Sequence, residues 1–378
     1  MQRGKVPAWR VTATVLALAS AVLPFAGCSS LGGGKAPTTR YFLYAANTHG
    51  DSISVYTIDA SSGALASVSG SPFPTGTGPA GIASEPEGKF LYVASSRSDS
   101  ISVYSIDAGS GALAAAGGSS FPAGSDPEDI TVNRAGNLLF AANYGSNNVS
   151  AWAVTASTGS LTAISGSPFR AGSHPAGVAA DPAGKYLYVA NNGSNDVSTY
   201  SIVSRGDGRT AARGAAVDAG VYPSGVAVDP QGRFVYVANN GSGTVSAYAI
   251  NPDNGALTAA RGSPFHSGSS PWGVAIDPTG KFAYVSNASS ATISAYAIDA
   301  RSGALGEIDG SPFPAGASPR GIAVDPTGKF VYVANYGSNS VSAYSIDAST
   351  GSLTAVNGSP FATGSRPGAV AIAAATGP

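Results

Sequence analysis

Loops around seven evenly spaced prolines carry most of the side chains in this chain that could take part in chemistry. The residues beside these prolines vary, whereas the rest of each repeat changes little. They include three acids, one histidine, two large aromatic residues and two arginines: Asp126, Glu128, Asp129, His174, Tyr222, Trp272, Arg320 and Arg366. Brought together at one place, such residues could bind a small anionic or sugar-like ligand. The alternative is that these loop tips are solvated and vary freely.

Three of these residues are candidates for catalysis. Arg320 could polarise a carbonyl group and stabilise the negative charge that develops on its oxygen. His174 or Glu128 could accept a proton from an attacking water molecule.

The remaining residue patterns give no sign of a metal or a cofactor. The histidines His49, His174 and His266 lack a second ligand at a spacing typical of zinc, and only His174 is expected beside the other candidates. The segment "NPDNGAL" lacks the distal glutamate of a calcium loop. The glycines lie in turns between strands and not at helix N-termini, where they could bind phosphate.

A strict repeat explains where the candidate residues come from. The aromatic residue of the segment "FVYVAN" and its equivalents recurs every 48 residues: Tyr44, Tyr92, Phe140, Tyr188, Tyr236, Tyr284 and Tyr332. A period of this length, with several short strands in each unit, indicates units that must stack on one another to bury their faces. The 50 glycines, the 25 prolines and a charged fraction of 11% also favour short strands and tight turns.

The pattern within one repeat predicts four strands. In the last repeats these are "GIAV", "FVYVAN", "SVSAYSID" and "SLTAV", separated by turns such as "DPTGK". Small residues alternate with apolar ones in "GIAV", as expected for a strand at the narrow centre of a ring. The sequence therefore predicts an all-β, seven-bladed β-propeller over residues 41–378. Its last segment, Ala369 to Ala374, would pair with the first, Tyr41 to Asn47, and close the ring.

The repeated segments resemble a known family. "YVAN" at Tyr188, Tyr236 and Tyr332, followed each time by a "VSAYSID" type of strand, is similar to the YVTN-repeat and lactonase-like β-propellers. The resemblance implies a seven-bladed propeller and a lactonase activity like that of 6-phosphogluconolactonase. Such members carry Pro-Arg-His where the loop enters the innermost strand. Here only Arg320 matches the arginine and no histidine follows it, which counts against catalysis.

The N-terminus indicates export and lipidation. Residues 1–27 combine basic residues with a short apolar run, which is typical of a signal peptide, and "PFAGC" resembles a lipobox ending at Cys28. We expect Cys28 to carry lipid and residues 28–40 to form a flexible tether. The alternative is a soluble secreted protein. The expected location is the bacterial cell envelope, periplasmic or at the cell surface, and on the outer membrane if there are two membranes.

Three functions remain open at this point. The first is a lipid-anchored, monomeric binding module that holds a small ligand or an envelope protein through its loops. The second is an extracytoplasmic lactonase. The third is a purely structural surface layer, which would bind no ligand. The 20 basic and 21 acidic residues include three basic residues in the leader, so a charge of about −4 remains after its removal and disfavours nucleic-acid binding.

Overall fold

The computed structural model of the chain describes residues 38–205 and 208–377. These residues form strands, turns and loops, and none of them lies in a helix that could cross a membrane. The expected signal peptide, the expected lipidation site Cys28 and residues 29–37 of the expected tether lie outside the described residues. Thr38, Thr39 and Arg40, which the sequence assigned to the tether, belong to the first strand.

The described strands form seven antiparallel sheets, which we number as blades 1 to 7 from the one that contains the N-terminal strand. From the centre outwards, each blade has an inner, a second, a third and an outer strand, as predicted. In blade order, the inner strands are Pro367–Gly377, Pro79–Ser84, Pro127–Val132, Pro175–Ala180, Pro223–Val228, Pro271–Ile276 and Pro319–Val324. The second strands are Thr38–Asn47, Phe90–Ser95, Leu138–Asn143, Tyr186–Asn191, Phe234–Asn239, Phe282–Asn287 and Phe330–Asn335. The third strands are Ser52–Ile58, Ser100–Ile106, Asn148–Val154, Asp196–Arg205, Thr244–Ile250, Thr292–Ile298 and Ser340–Ile346. The outer strands are Leu65–Ser67, Leu113–Ala115, Leu161–Ala163, Gly208–Arg213, Leu257–Ala259, Leu305–Glu307 and Leu353–Ala355.

Each blade also has a two-residue strand that pairs with its third strand. These short strands are Phe73–Pro74, Phe121–Pro122, Phe169–Arg170, Val217–Asp218, Phe265–His266, Phe313–Pro314 and Phe361–Ala362. Their first residues pack against the apolar clusters between neighbouring blades. The repeated phenylalanine therefore packs as a wedge between neighbouring blades.

Hydrogen bonds between blades repeat around the ring. The buried tyrosine of the second strand donates its hydroxyl to the carbonyl of a turn glycine in the next blade. Examples are Tyr188 to Gly255 (3.1 Å) and Tyr284 to Gly351 (3.0 Å). Blade 3 has Phe140 at this position and cannot make the bond.

The ring closes between the two ends of the described chain. Thr38–Asn47 pairs antiparallel with Pro367–Gly377, so the C-terminal strand becomes the inner strand of blade 1. The Tyr332 hydroxyl of blade 7 donates to the Gly63 carbonyl of blade 1 (2.9 Å), which continues the bond pattern across the closure. The predicted closure of the propeller is confirmed.

Candidate functional site

The loop before each inner strand holds an uncommon backbone conformation. The residue before the proline has a positive φ, as in Asp126 (54°), His174 (52°) and Arg366 (53°), a region that residues other than glycine rarely adopt. A side chain from the preceding blade accepts a hydrogen bond from its backbone N–H. Asp99 accepts from Asp126 (2.8 Å), and Asn147 accepts from His174 (2.7 Å). The backbone of these loops is therefore the same around the ring, and the blades differ in the side chains.

The residues after the prolines line a central cavity of about 300 Å³. In the order of blades 2 to 7 and then 1, they are Ala80, Glu128, Ala176, Ser224, Trp272, Arg320 and Gly368. Two positions further along the same strands, the lining is apolar: Ile82, Ile130, Val178, Val226, Val274, Ile322 and Val370. The cavity thus has an apolar wall and one ring of differing residues, in which Glu128, Trp272 and Arg320 stand out. Its volume is at the lower end of small-molecule sites.

Glu128 of blade 3 has the properties of a general base. The pKa of its carboxyl is raised to about 7, mainly by burial and then by the charge of Asp126, while Arg320 acts in the opposite direction. Its side chain is surrounded by protein but keeps some surface open to the cavity. A carboxyl group with this pKa can take up and release a proton near neutral pH.

Glu128 and Arg320 face each other across the cavity. They belong to blades 3 and 7, which are as far apart as two blades of a seven-membered ring can be. The two side chains influence each other electrostatically, yet they are not among the ion pairs of the described residues. The cavity of about 300 Å³ thus has an unpaired carboxyl group and a guanidinium group in different parts of its wall.

Asp129 also lines the cavity, but its carboxylate makes a hydrogen bond to the backbone of the neighbouring blade. Its equivalents in the other blades are small: Gly81, Gly177, Gly225, Gly273, Gly321 and Ala369. Small residues allow neighbouring inner strands to approach, since a methyl group on Gly321 would lie 2.6 Å from Ala369 Cα. The Asp129 carboxylate instead accepts a hydrogen bond from the Val178 N–H (2.9 Å), while burial raises its pKa to about 6. Because this bond ties it to blade 4, Asp129 is less available as a base than Glu128.

Two aromatic rings contact Arg320. Its Cζ lies 4.4 Å from the centre of the Trp272 ring and 3.6 Å from that of Tyr336. Such contacts hold a guanidinium group by attraction to the ring faces and by stacking. Burial lowers the pKa of Arg320, but an arginine side chain remains charged at neutral pH. Arg320 is therefore a fixed positive charge in the wall of the cavity.

The structure separates the eight residues predicted to bind a ligand into two groups. Glu128, Asp129, Trp272 and Arg320 line the cavity, whereas Asp126, His174, Tyr222 and Arg366 do not. His174 is exposed and its ring stacks on Tyr144 with 4.6 Å between ring centres. Tyr222 is 53% exposed. His174 thus lies on the rim of the mouth, outside the group that contains Glu128.

The turns after the second strands also bring residues to this mouth, and none of these is among the eight predicted to bind a ligand. The expectation that His174 is the only histidine at this mouth is wrong, because the His49 N–H donates to the Ser365 carbonyl (3.3 Å), next to Arg366. The His49 ring also lies edge-on to Tyr336 at 5.9 Å. A weaker signal was present, since the residue that follows "YVAN" or its equivalent is Thr48, Ser96, Tyr144, Asn192, Asn240, Ala288 or Tyr336.

No cluster of three or more potential metal ligands occurs among the residues that the structure describes. The acids that line the cavity are Glu128 and Asp129, and Arg320 lies in a distant part of its wall.

One family model matches nearly the whole described chain. It is the model of "Lactonase, 7-bladed beta-propeller", and its matches cover residues 36–119, 69–173, 164–272 and 262–371. Among curated proteins, none matches this chain significantly.

Several solved structures share the fold. A protein provisionally named 6-phosphogluconolactonase from Bacteroides uniformis has a TM-score of 0.75 and 21% identity, over 88% of this chain and 99% of its own. A similarly named protein from Bacteroides fragilis has a TM-score of 0.73 and 20% identity, over 90% and 99%. The periplasmic gluconolactonase of Pseudomonas aeruginosa has a TM-score of 0.72 and 23% identity, over 89% and 99%. At these identities the likeness shows the fold alone.

Proposed function

Since the chain belongs to the lactonase seven-bladed β-propeller family, we propose that it hydrolyses a lactone in the central cavity. Glu128 is the general base in this proposal, and Arg320 stabilises the oxyanion. The observation that carries the proposal is a carboxyl group with a pKa of about 7 that faces a guanidinium group across a small cavity. The gluconolactonase and 6-phosphogluconolactonase names of the similar structures support a sugar lactone as the substrate class.

The reaction needs one proton acceptor and one oxyanion partner. Ionised Glu128 accepts a proton from water while the water oxygen bonds to the lactone carbonyl carbon. Negative charge develops on the carbonyl oxygen, and the Arg320 guanidinium stabilises it.

The same two groups complete the ring opening. The bond between the carbonyl carbon and the ring oxygen breaks, and Glu128 returns its proton to the leaving alkoxide. The product is a hydroxy acid, whose carboxyl group releases a proton to solvent at neutral pH. Glu128 is then ionised for the next cycle, so no further reactant is required.

The departure from the Pro-Arg-His pattern fits this assignment of the base. Arg320 retains the arginine, and Gly321 follows it where the pattern has histidine. A carboxyl group with a raised pKa can replace an imidazole as a proton acceptor, because both titrate near neutral pH.

The N-terminal pattern supports an extracytoplasmic location for this activity. A signal peptide at residues 1–27 and lipid on Cys28 would hold the propeller at the cell envelope. Labelling cells with a radioactive fatty acid, followed by fractionation, tests this proposal. A Cys28→Ala chain that is labelled as strongly as the wild type would rule out lipidation at this residue.

Turnover by the full-length chain tests the proposed reaction. We expect proton release from neutral sugar lactones, with kcat/KM rising through about pH 7 as Glu128 ionises. Glu128→Gln and Arg320→Gln should each lower kcat about 100-fold or more. The matched controls are Glu307→Gln and Arg301→Gln, which remove the same charges at exposed positions of blade 6.

Two outcomes would change this assignment. A loss in His174→Ala as large as that in Glu128→Gln would move the base to the rim. Ligand binding without any turnover would favour the second candidate, a non-catalytic binding module, which the missing histidine of the family pattern supports.

A further inference from the structure

Blade 5 carries an exposed apolar pair at the mouth of the propeller. Val221 is 45% exposed and Tyr222 is 53% exposed, and no other large hydrophobic side chain of the described residues is as exposed. The other blades have small or polar residues at these two positions, for example Ser269 and Ser270 in blade 6. Serine therefore satisfies the fold at both positions, and the apolar pair needs another explanation. Apolar side chains that lie together at a surface can mark a binding site.

The surrounding backbone holds the Tyr222 ring in place. Tyr222 has a φ of 52°, which bulky residues rarely adopt. Its N–H donates to Asn195 Oδ1 (2.8 Å), and its carbonyl accepts from the Asn240 N–H (3.0 Å). The side chains of Tyr222 and Val221 both pack against Gly241, where a methyl group would lie 2.7 Å from Tyr222 Cδ2 and 2.8 Å from Val221 Cγ1. A ring that is already fixed and exposed loses little conformational entropy when a ligand stacks on it.

A second exposed ring occupies the equivalent position in blade 4. His174 has the same φ of 52°, and its ring packs against Gly193 as Tyr222 packs against Gly241. The His174 ring also stacks on Tyr144, with an angle of 24° between the two ring planes. Aromatic rings thus follow one another over neighbouring blades, outside the cavity that holds Glu128 and Arg320. We call His174, Val221 and Tyr222 the aromatic rim.

Two asparagine side chains beside Tyr222 offer hydrogen-bond acceptors. Asn192 Nδ2 donates to the Pro223 carbonyl (3.2 Å), and Asn240 Nδ2 donates to the Pro271 carbonyl (3.4 Å). These bonds orient both amides, and the two Oδ1 atoms accept no hydrogen bond from the described part of the chain. A carboxamide oxygen can accept two hydrogen bonds. The polar groups left open beside the ring therefore suit a ligand that is rich in O–H donors.

The aromatic rim lies in a part of the mouth without strongly charged side chains. Its loops and turns contain no acid, lysine or arginine over residues 172–174, 192–195, 220–222 and 240–243. The nearest acids along the chain, Asp196 and Asp218, lie opposite each other where the third strand begins, farther from the central axis. Arg320 and Arg366 belong to blades 7 and 1. A ligand of the aromatic rim therefore needs no charge of its own.

From this combination we infer that the aromatic rim binds a neutral polysaccharide chain. A pyranose ring has an apolar face of C–H groups that packs on an aromatic ring, and hydroxyl groups at its edge that donate to the oxygens of Asn192 and Asn240. Rings on neighbouring blades suit successive sugars of one chain. A proline-rich peptide also packs on aromatic rings, but its prolines have no N–H to donate to these oxygens. The inference does not rest on lactone hydrolysis, because the rim lies outside the cavity.

Calorimetry with neutral oligosaccharides tests this binding on the full-length chain. The probes are maltohexaose, cellohexaose and chitohexaose, each compared with its own disaccharide. We expect at least one hexasaccharide to bind about tenfold more tightly than its disaccharide, because only the longer chain reaches the rings of both blades. The affinity should change little between low and high salt, since the ligand carries no charge.

Substitutions assign the binding to the aromatic rim. Tyr222→Ser and His174→Ser introduce the residue that blades 6 and 7 have at this position, so both variants should fold. Tyr222→Ser should weaken hexasaccharide binding about tenfold and His174→Ser several-fold, whereas Tyr222→Phe, which keeps the ring, should weaken it less than about threefold. Arg366→Ser is the matched control, because it makes the same change in the loop of blade 1 and should leave the affinity unchanged. Glu128→Gln should also bind like the wild type.

Four results would overturn the inference. One is the absence of binding of all three hexasaccharides to the wild type, which needs no variant to fold. Another is an equal loss of affinity in Arg366→Ser. The third is an unchanged affinity in Tyr222→Ser with a melting temperature like that of the wild type. The fourth is tighter binding of a proline-rich decapeptide, lost in Tyr222→Ser, which would make the rim a peptide site. Lactone turnover alongside any of these would leave the proposed function intact, and hexasaccharide binding without turnover would leave the rim intact.

Discussion

At the scale of single residues, the blades differ most clearly at one repeated position of the cavity wall. Blades 3, 6 and 7 carry Glu128, Trp272 and Arg320 there. Ala80, Ala176 and Gly368 show that a small residue is sufficient there for the fold. Glu128 and Arg320 at equivalent positions therefore bring charge into a buried place without a structural need for it. Because burial of a charge is unfavourable, such residues are expected where function requires them.

The raised pKa of Glu128 predicts a cost in stability that depends on pH. Its carboxyl titrates near 4.3 in an unfolded chain and near 7 in the folded protein. Because folding raises the pKa, the cost in stability is absent at a pH below the pKa of the unfolded state. It is complete at a pH above the pKa of the folded state. We therefore expect Glu128→Gln to be more stable than the wild type by about 1–3 kcal/mol near pH 8, and to lose this advantage near pH 4.

Denaturant unfolding at both pH values measures this difference. Glu307→Gln is the control, since Glu307 is exposed on the outer strand of blade 6. If the free energies of unfolding of Glu128→Gln and the wild type changed by the same amount between the two pH values, folding would not raise the pKa of the Glu128 carboxyl.

At the scale of elements, blades 1, 2, 3, 5, 6 and 7 each have a turn glycine that contacts the preceding blade. Gly351 has a φ of 78°, and its carbonyl accepts the Tyr284 hydroxyl at 3.0 Å. A methyl group on Gly351 would overlap the Phe282 ring, whereas one on Gly358 would lie 3.6 Å from Phe361. Both glycines have a positive φ, so they differ mainly in this contact between blades.

This pair of glycines allows a matched test of the contact between blades. Gly358→Ala should cost about 1 kcal/mol, because alanine is strained at positive φ. Gly351→Ala should cost about 1–3 kcal/mol more, since Phe282 must also move. The comparison of their thermal unfolding midpoints measures the difference. Equal midpoints would mean that the Phe282 ring accommodates the added methyl group at position 351 without a further loss of stability.

At the scale of the whole molecule, stability depends on closure of the ring. The inner strand of blade 1 comes from the C-terminus, and its residues Val370, Ala371, Ala373 and Ala375 are buried. Without it, the second strand of blade 1 would expose its backbone hydrogen-bonding groups. The mouth would lose its loop at Arg366 as well, because that loop leads into the same strand.

Removal of residues 369–378 should therefore lower the unfolding midpoint by about 10 °C or more and broaden the transition. A chain that lacks only residues 376–378 serves as the control, since it keeps the buried part of the strand. Calorimetry provides the measurement. A long truncation that melts as sharply and as hot as the intact chain would show that closure is unimportant.

The sequence by itself determined the ring. Its 48-residue period, the turn residues of "DPTGK" and the small residues of the inner strand are local patterns, and equal units that cannot bury their own faces must stack. The sequence begins with the pattern of a second strand and finishes with that of an inner strand, which also predicted that the two ends pair and close the ring. The start of the first strand was less certain, because the equivalents of Thr38 to Arg40 in the other repeats lie in a turn, whereas Thr38 to Arg40 pair with residues 375–377.

Only the tertiary structure decided which of the varied residues act together. The residues before and after a proline vary alike in sequence, but the positive φ before the proline keeps His174 and Arg366 on the rim while Glu128 and Arg320 line the cavity. The contacts of Arg320 with Trp272 and Tyr336, and the approach of Arg366 and His49, join residues from three blades. A repeat pattern cannot reveal such contacts, because it fixes each residue's place within its own blade and leaves distances across the channel to the geometry of the closed ring.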